Sequence, residues 1–248
     1  MTRQLTSLIF VLLTLLSAGC LKIHDTAKIL SSVAQAPTIP GNLPTQYVEI
    51  LGSAAQFALL GGSTTTGAGG ATTVVGSVGA SPGTSITGLI NITDGSVHAG
   101  DPISLQAQVD ARYAYETIKA KCGAEDISGQ DLGGKTLGPG TYKFMSSCAL
   151  TSGTLVLDGK GDPNALWFFQ IGSTLITGPY SNVVMINSGS PLNVYWQVGS
   201  SSTISGISMC GNIIAQFSIT LGPYLDLKGR AIARGAALTF TAGKISIK

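Results

Sequence analysis

Asp158, Asp162 and Asp226 are the residues here best suited to acid–base chemistry, and Arg230 and Arg234 the best placed to clamp a substrate. Polysaccharide cleavage needs paired carboxylates, or an Asp beside Lys or Arg, on one face. Each of these aspartates instead sits beside glycine or leucine in a turn-like context, with no evident second carboxylate, and turns account for them. The two arginines are expected to cover the last repeats with their aliphatic stems. Metal chemistry has little to work with. The only histidines are His24 and His98 and no Cys-x-x-Cys occurs, so no metal site and no cofactor are expected. The groups that do recur at regular places are the short hydroxyls of Thr and Ser. A hydroxyl array without acids or bases can organise water or hold a surface.

Four echoes position those hydroxyls: Trp167-Phe168-Phe169-Gln170-Ile171-Gly172, Tyr195-Trp196-Gln197-Val198-Gly199, Ile213-Ile214-Ala215-Gln216-Phe217 and Ala231-Ile232-Ala233-Arg234-Gly235. Each is an apolar run closed by a long polar residue and followed by Thr or Ser alternating with Ile or Leu. Imperfect repeats at such spacing stack as coils around a shared core, because no single unit buries its own apolar face. The expected fold is an all-β solenoid.

Composition agrees. With 33 glycines and only 10% charged residues, the surface must carry Thr, Ser, Ala and Gly where most domains carry Lys and Glu. A formal net charge of +2 over 248 residues provides no basic stripe for a polyanion, which argues against nucleic acid.

After Arg3, the nearly apolar stretch Leu5 to Ala18 ends in Ser17-Ala18-Gly19-Cys20, which reads as a secretion signal over 1–20. Export follows, either as a soluble extracellular protein or, if Cys20 is lipidated, as one anchored at the cell surface. Membrane contact is expected only through that anchor. Residues 21–45 read as a linker and 46–248 as the folded domain, monomeric. In an oxidising compartment Cys122 and Cys148 are the expected disulfide pair. Between a Gly/Thr-rich region and the repeats lies one helix, about 101–121, capped by Asp101 with Pro102 first and ended by Cys122-Gly123. Leu105, Val109, Tyr113 and Ile118 are its expected packing face, with Gln106, Gln108, Asp110, Arg112, Glu116 and Lys119 solvated.

The sequence resembles the DUF3494 ice-binding protein family. The likeness rests on Leu51 to Leu60, on Val75-Gly76-Ser77-Val78-Gly79-Ala80-Ser81-Pro82-Gly83 and on Asp131-Leu132-Gly133-Gly134-Lys135-Thr136-Leu137-Gly138-Pro139-Gly140-Thr141-Tyr142. It continues through the Trp167 and Val194 runs to Gly229-Arg230-Ala231-Ile232-Ala233. The resemblance implies a discontinuous right-handed β-helix of triangular section with one long helix alongside, and a flat face that adsorbs to ice, inhibiting its growth and recrystallisation. An ice crystal surface is then the partner.

Strand alternation indicates which residues would line that face. Counting from the closing polar residue places Gly172, Gly199, Ser218 and Ala236 two steps on, and Thr174, Ser201 and Thr220 four steps on. Leu175 and Ile219 point inward, and an irregular stretch after Ser201 shifts Thr203. The last repeat carries an extra residue, leaving Leu238 and Thr239 as alternatives for its column. The expected ice face is Thr174, Ser201, Thr203, Ser218, Thr220, Ala236 and Thr239. Pro179-Tyr180 and Pro223-Tyr224 depart from a clean run of small residues. Gln170, Gln197 and Gln216 are expected to form an internal hydrogen-bonded ladder. The alternative use of the same face is adhesion to a glycan or another cell.

Overall fold

Short runs in which apolar and small side chains alternate become strands, and glycine or a polar turn redirects the chain after each of them. The structure, a computed structural model, describes residues 50–70, 72–88 and 90–248; the signal, Cys20 and the whole linker over 21–45 lie outside the described residues. Ahead of the helix come β1 (Phe57–Gly61), β2 (Thr64–Gly67), β3 (Thr72–Val75), β4 (Ser77–Ala80), β5 (Ser85–Thr87), β6 (Ile90–Thr93) and β7 (Val97–Ala99), and then α1 (Pro102–Lys119). The first strands after it are β8 (Glu125–Asp126), β9 (Thr136–Leu137), β10 (Gly140–Phe144), β11 (Cys148–Leu150), β12 (Gly153–Asp158), β13 (Trp167–Ile171), β14 (Leu175–Thr177) and β15 (Ser181–Ile186). The last are β16 (Val194–Val198), β17 (Ser202–Ile204), β18 (Ser208–Ala215), β19 (Ile219–Leu221), β20 (Leu225–Ala233), β21 (Leu238–Phe240) and β22 (Gly243–Ser246).

These strands stack in parallel as a three-sided solenoid. The first side is β8, β10, β13, β16, the C-terminal halves of β18 and β20, then β1, β4 and β7. The second is a separate seven-stranded sheet ordered β11-β14-β17-β19-β21-β2-β5. The third is β9, β12, β15, the N-terminal parts of β18 and β20, then β22, β3 and β6. The coils do not follow chain order. The N-terminal coil lies on the C-terminal one, pairing Leu59 with Ala231, Thr65 with Leu238 and Val74 with Ile245.

The corner between the third and first sides needs glycine. β18 and β20 pass it at the paired Gly211 and Gly229, with φ of 116° and 149°, and a Cβ on Gly229 would stand 1.9 Å from the Gly211 carbonyl oxygen. No side chain fits there.

The central strands of the first side, β13 and β16 among them, are buried on both faces, which explains why Trp167 to Ile171 and Val194 to Val198 are apolar apart from Gln170 and Gln197. Inward, the Phe169 and Trp196 rings stack with centroids 3.9 Å apart. Outward, Phe168 stacks on Tyr195 beneath α1. The helix seats on this layer a run of small residues, Ser104, Ala107, Ala111 and Ala114, followed by Tyr115 and Ile118. The expected packing face is therefore corrected: Leu105, Val109 and Tyr113 are 54%, 39% and 69% exposed and only Ile118 is buried. Alanine wins the contact because it lets the helix axis approach an already bulky aromatic layer, whereas the larger side chains at i, i+4 and i+8 fall on the opposite side. Two residues expected in solvent are tethers. Asp110 Oδ2 accepts from the Ser53 amide at 2.7 Å and the Ser53 hydroxyl at 2.6 Å, and Gln108 Nε2 donates to the Ala233 carbonyl.

Three further expectations are corrected. Gln170 does not form an internal ladder; its Nε2 donates to the Ile118 and Lys121 carbonyls, both at 2.8 Å, and satisfies the end of the helix. Gln216 instead accepts from Arg234, whose guanidinium lies over the Tyr115 ring. Cys148 is a free thiol in the solenoid core, stacked in register over Leu175 of the second side, so the Cys122–Cys148 pair is not made; Cys122 is exposed beyond the helix on the first side. Burial raises the Cys148 thiol far above its ordinary pKa, leaving it unreactive. Arg230 does not lie over the last coils but is fully buried within the fold. Its Nε and Nη2 donate to the Ala55 carbonyl at 2.8 and 2.6 Å, and its Nη1 donates to Asn212 Oδ1 at 2.7 Å.

Replacing Arg230 by Leu takes its donors away from two acceptors inside the fold, the Ala55 carbonyl and Asn212 Oδ1. We expect a loss of about 3 kcal/mol or more in urea denaturation; a change below about 1 kcal/mol would show that this tie is dispensable. A second expectation concerns acid. Partial burial works to raise the Asp101 carboxyl, but the Ser104 amide and His98, whose Nδ1 lies 2.7 Å away, outweigh it and hold its pKa at about 2 against an ordinary 3.8. A depressed carboxyl contributes stability above its unfolded value and loses it as pH falls through the folded one. Asp101→Asn should therefore flatten the stability profile between pH 3.8 and about 2, as followed by helical circular dichroism.

Candidate functional site

On the second side, β11, β14, β17, β19 and β21 read buried–outward–buried, and β2 and β5 continue the same register through the inward Thr65 and Ile86, so side chains sort into columns. Cys148, Leu175, Ser202, Ile219, Leu238, Thr65 and Ile86 point inward as one row, and Leu150, Thr177, Ile204, Leu221 and Phe240 as the next. Between them the outward column runs Ala149, Ile176, Thr203, Thr220, Thr239, Thr66, Thr87, one residue from each strand.

A second column stands one pleat earlier: Ser147, Thr174, Ser201, Ser218, Ala237, Thr64 and Ser85. A third follows the strands, where the ladder continues through Gly178, Gly222, Thr241 and Ala68, with Thr151 and Ser205 in line. Hydroxyls of adjacent coils meet directly, Thr174 donating to Ser147 Oγ at 2.8 Å and Thr87 to Thr66 Oγ1 at 3.5 Å.

Most of the residues expected from sequence come together here. Thr174, Ser201 and Ser218 share one column, and Thr203, Thr220 and Thr239 share the next, with Thr220 one pleat beyond the position it was given beside Thr174. The extra residue of the last repeat settles the open alternative. Ala215 and Ile219 pair with Ala233 and Leu238, so five steps on β20–β21 match four on β18–β19. Leu238 turns fully inward and Thr239 outward. Ala236 is displaced to the corner, where its carbonyl accepts from Gly62 and Ser63, and Ala237 takes its column. Tyr180 and Tyr224 stand at the opposite corner, outside the columns, directly before β15 and Leu225 of β20.

Sequence reasoning missed Thr64, Thr66, Ser85 and Thr87. The triplet Thr64-Thr65-Thr66 and Ser85-Ile86-Thr87 show the same small–inward–small alternation, but nothing local places them beside Thr239.

The three sides differ in electrostatics. No residue in the three columns of the second side is charged. The first side is covered by α1. The third presents Thr154, Asn182, Ser208, Asp226, Lys244, Thr73 and Asn91 along one register row, with Lys228 a pleat away. The remaining acids have structural work: Asp158 Oδ1 accepts from the Lys160 amide and from Asn187, and Asp162 Oδ1 from the Asn164 amide. Among the described residues no group of three or more His, Cys, Asp or Glu could hold a metal ion.

This geometry has relatives. An ice-binding protein from Nostoc sp. (strain HG1) is 41% identical over 229 residues, spanning 91% of this chain and 84% of its own. A crystal structure of an ice-binding protein from an Antarctic biological consortium superposes with a TM-score of 0.74 at 38% identity, covering 86% of this chain and 95% of that one. One from the Antarctic ascomycete Antarctomyces psychrotrophicus gives 0.73 at 34% identity, covering 80% and 97%. The profile of the Ice-binding-like family matches residues 59–246, and the chain belongs to that family.

Proposed function

We propose that this protein binds ice through the second side of its solenoid, slowing ice growth, inhibiting recrystallisation and producing thermal hysteresis. One observation carries the assignment of the side: two in-register columns of uncharged side chains cross all seven strands, and a third runs beside them through six described residues. Parallel strands repeat every 4.7–4.9 Å, roughly, so methyls and hydroxyls recur on a rigid two-dimensional net. Water over such a net finds hydrogen-bond partners at regular intervals and methyl groups between them, and can be held in a layer that joins a crystal plane. A charged side chain would orient its own hydration shell and resist giving it up. Adsorbed molecules pin the ice front, which must then bulge between them, and a curved front melts at a lower temperature than a level one. No bond is made or broken, and the family relationship points to no enzyme.

The apolar Leu5 to Ala18 stretch supports export, which would bring the protein to ice outside the cell. Ice contact at these columns needs one protein copy and no cofactor.

Thr220 stands mid-column and exposed. Thr220→Tyr should fold normally, with an unchanged melting temperature, yet lose most thermal hysteresis and recrystallisation inhibition. Thr73→Tyr, on the charged third side, should keep both. Full activity in the Thr220 variant would move the contact to another side.

A further inference from the structure

The central outward column changes character along the solenoid. Five adjacent strands, β17, β19, β21, β2 and β5, contribute Thr203, Thr220, Thr239, Thr66 and Thr87 without interruption. The next strand, β14, contributes Ile176, and β11 contributes Ala149. Ile176 is 49% exposed and, among the described residues, is the one side chain in the three columns larger than threonine. Thr and Ile share branching at Cβ, so the two pack alike at the sheet. Isoleucine then extends one carbon further, about 1.5 Å, and ends in a methyl where its neighbours present a hydroxyl. Beyond it Ala149 drops below threonine height.

We infer that Ile176 is a specificity-determining residue that ends the ice contact, confining it to the five-threonine side of the sheet and leaving β11 and β14 outside. The inference rests on the second side being the ice-contact surface. A crystal plane supported by five equal threonines meets the Ile176 Cδ methyl one strand spacing away, about 4.8 Å. A step of roughly 1.5 Å is enough to break the close contact on which short-range attraction depends. The hydroxyls on the far side of that step, Thr174 and Ser147, satisfy each other at 2.8 Å, so leaving the contact does not strand them. Adsorption therefore depends on strands from both ends of the chain, since Thr66 and Thr87 come from the N-terminal coils and the other three from the C-terminal ones.

The test compares thermal hysteresis at equal concentration for the wild-type protein and four variants. Ile176→Thr extends the column and should raise activity up to about 1.4-fold, as contact grows from five strands towards seven. In the wild-type background Ala149→Tyr, past the step, should cost far less activity than Thr87→Tyr at the other edge, which should lose most of it. These two do not depend on the Ile176 variant folding well. Thr220→Tyr tests the underlying reading. If it is inactive while Ile176→Thr shows no gain and Ala149→Tyr is as damaging as Thr87→Tyr, ice contact is on this side but Ile176 does not bound it. If Thr220→Tyr retains full activity, the side itself is wrong and the inference falls with it.

Discussion

The rest of the structure depends on one closure, the in-register stacking of the N-terminal coil on the C-terminal coil. Parallel strands cannot be joined by a tight hairpin, and a solenoid built in chain order would end after β20, β21 and β22 with three bare edges. Leu59 on Ala231, Thr65 on Leu238 and Val74 on Ile245 cover all three edges at once. Arg230 bridges Ala55 to Asn212 across the same seam. Ser53 and Asp110 fasten the start of that coil to the helix, which spans the side on which the seam lies. Without the closure, the threonine column would lose Thr66 and Thr87 and the last coil would be an exposed template for aggregation.

Once the coils are in register, chemistry is distributed among three sides by what each must bury. The first side carries aromatics on both faces because the core lies below it and α1 above. The third tolerates Asp226, Lys228 and Lys244 because it faces solvent. The second also faces solvent, yet among the described residues its three columns hold only Thr, Ser, Ala and Gly apart from Ile176. Solubility does not require this restraint, since the third side achieves exposure with charges. A surface that must hold ordered water does require it: each long charged side chain would bring several soft rotatable bonds and its own hydration.

Much of this was legible in sequence, for definite reasons. The echoed runs revealed the coils because inward residues at equivalent positions must match in size, and short hydroxyls after each run revealed the face. The failures have equally definite causes. Ala236 was misplaced by one residue because the corner after Ala233 holds an extra residue, which only pairing to Ile219 can locate. Thr66 and Thr87 were invisible as face residues because their partners are far along the chain, joined through the discontinuous closure. The helix face differs from the expected one because hydrophobicity favours Leu105, Val109 and Tyr113, whereas the aromatic layer below is met by Ser104, Ala107, Ala111 and Ala114 along most of the helix, with Tyr115 and Ile118 towards its end. Arg230 reads like any surface arginine until Ala55 and Asn212 are seen beside it.

The most direct test of ice adsorption is partition of the purified protein between slowly grown polycrystalline ice and the remaining liquid, beside an inert protein of similar size. Adsorption to the advancing front concentrates this protein in the ice while the reference is rejected into the liquid. A protein left wholly in the liquid with the reference would contradict ice binding and return the second side to an unassigned surface.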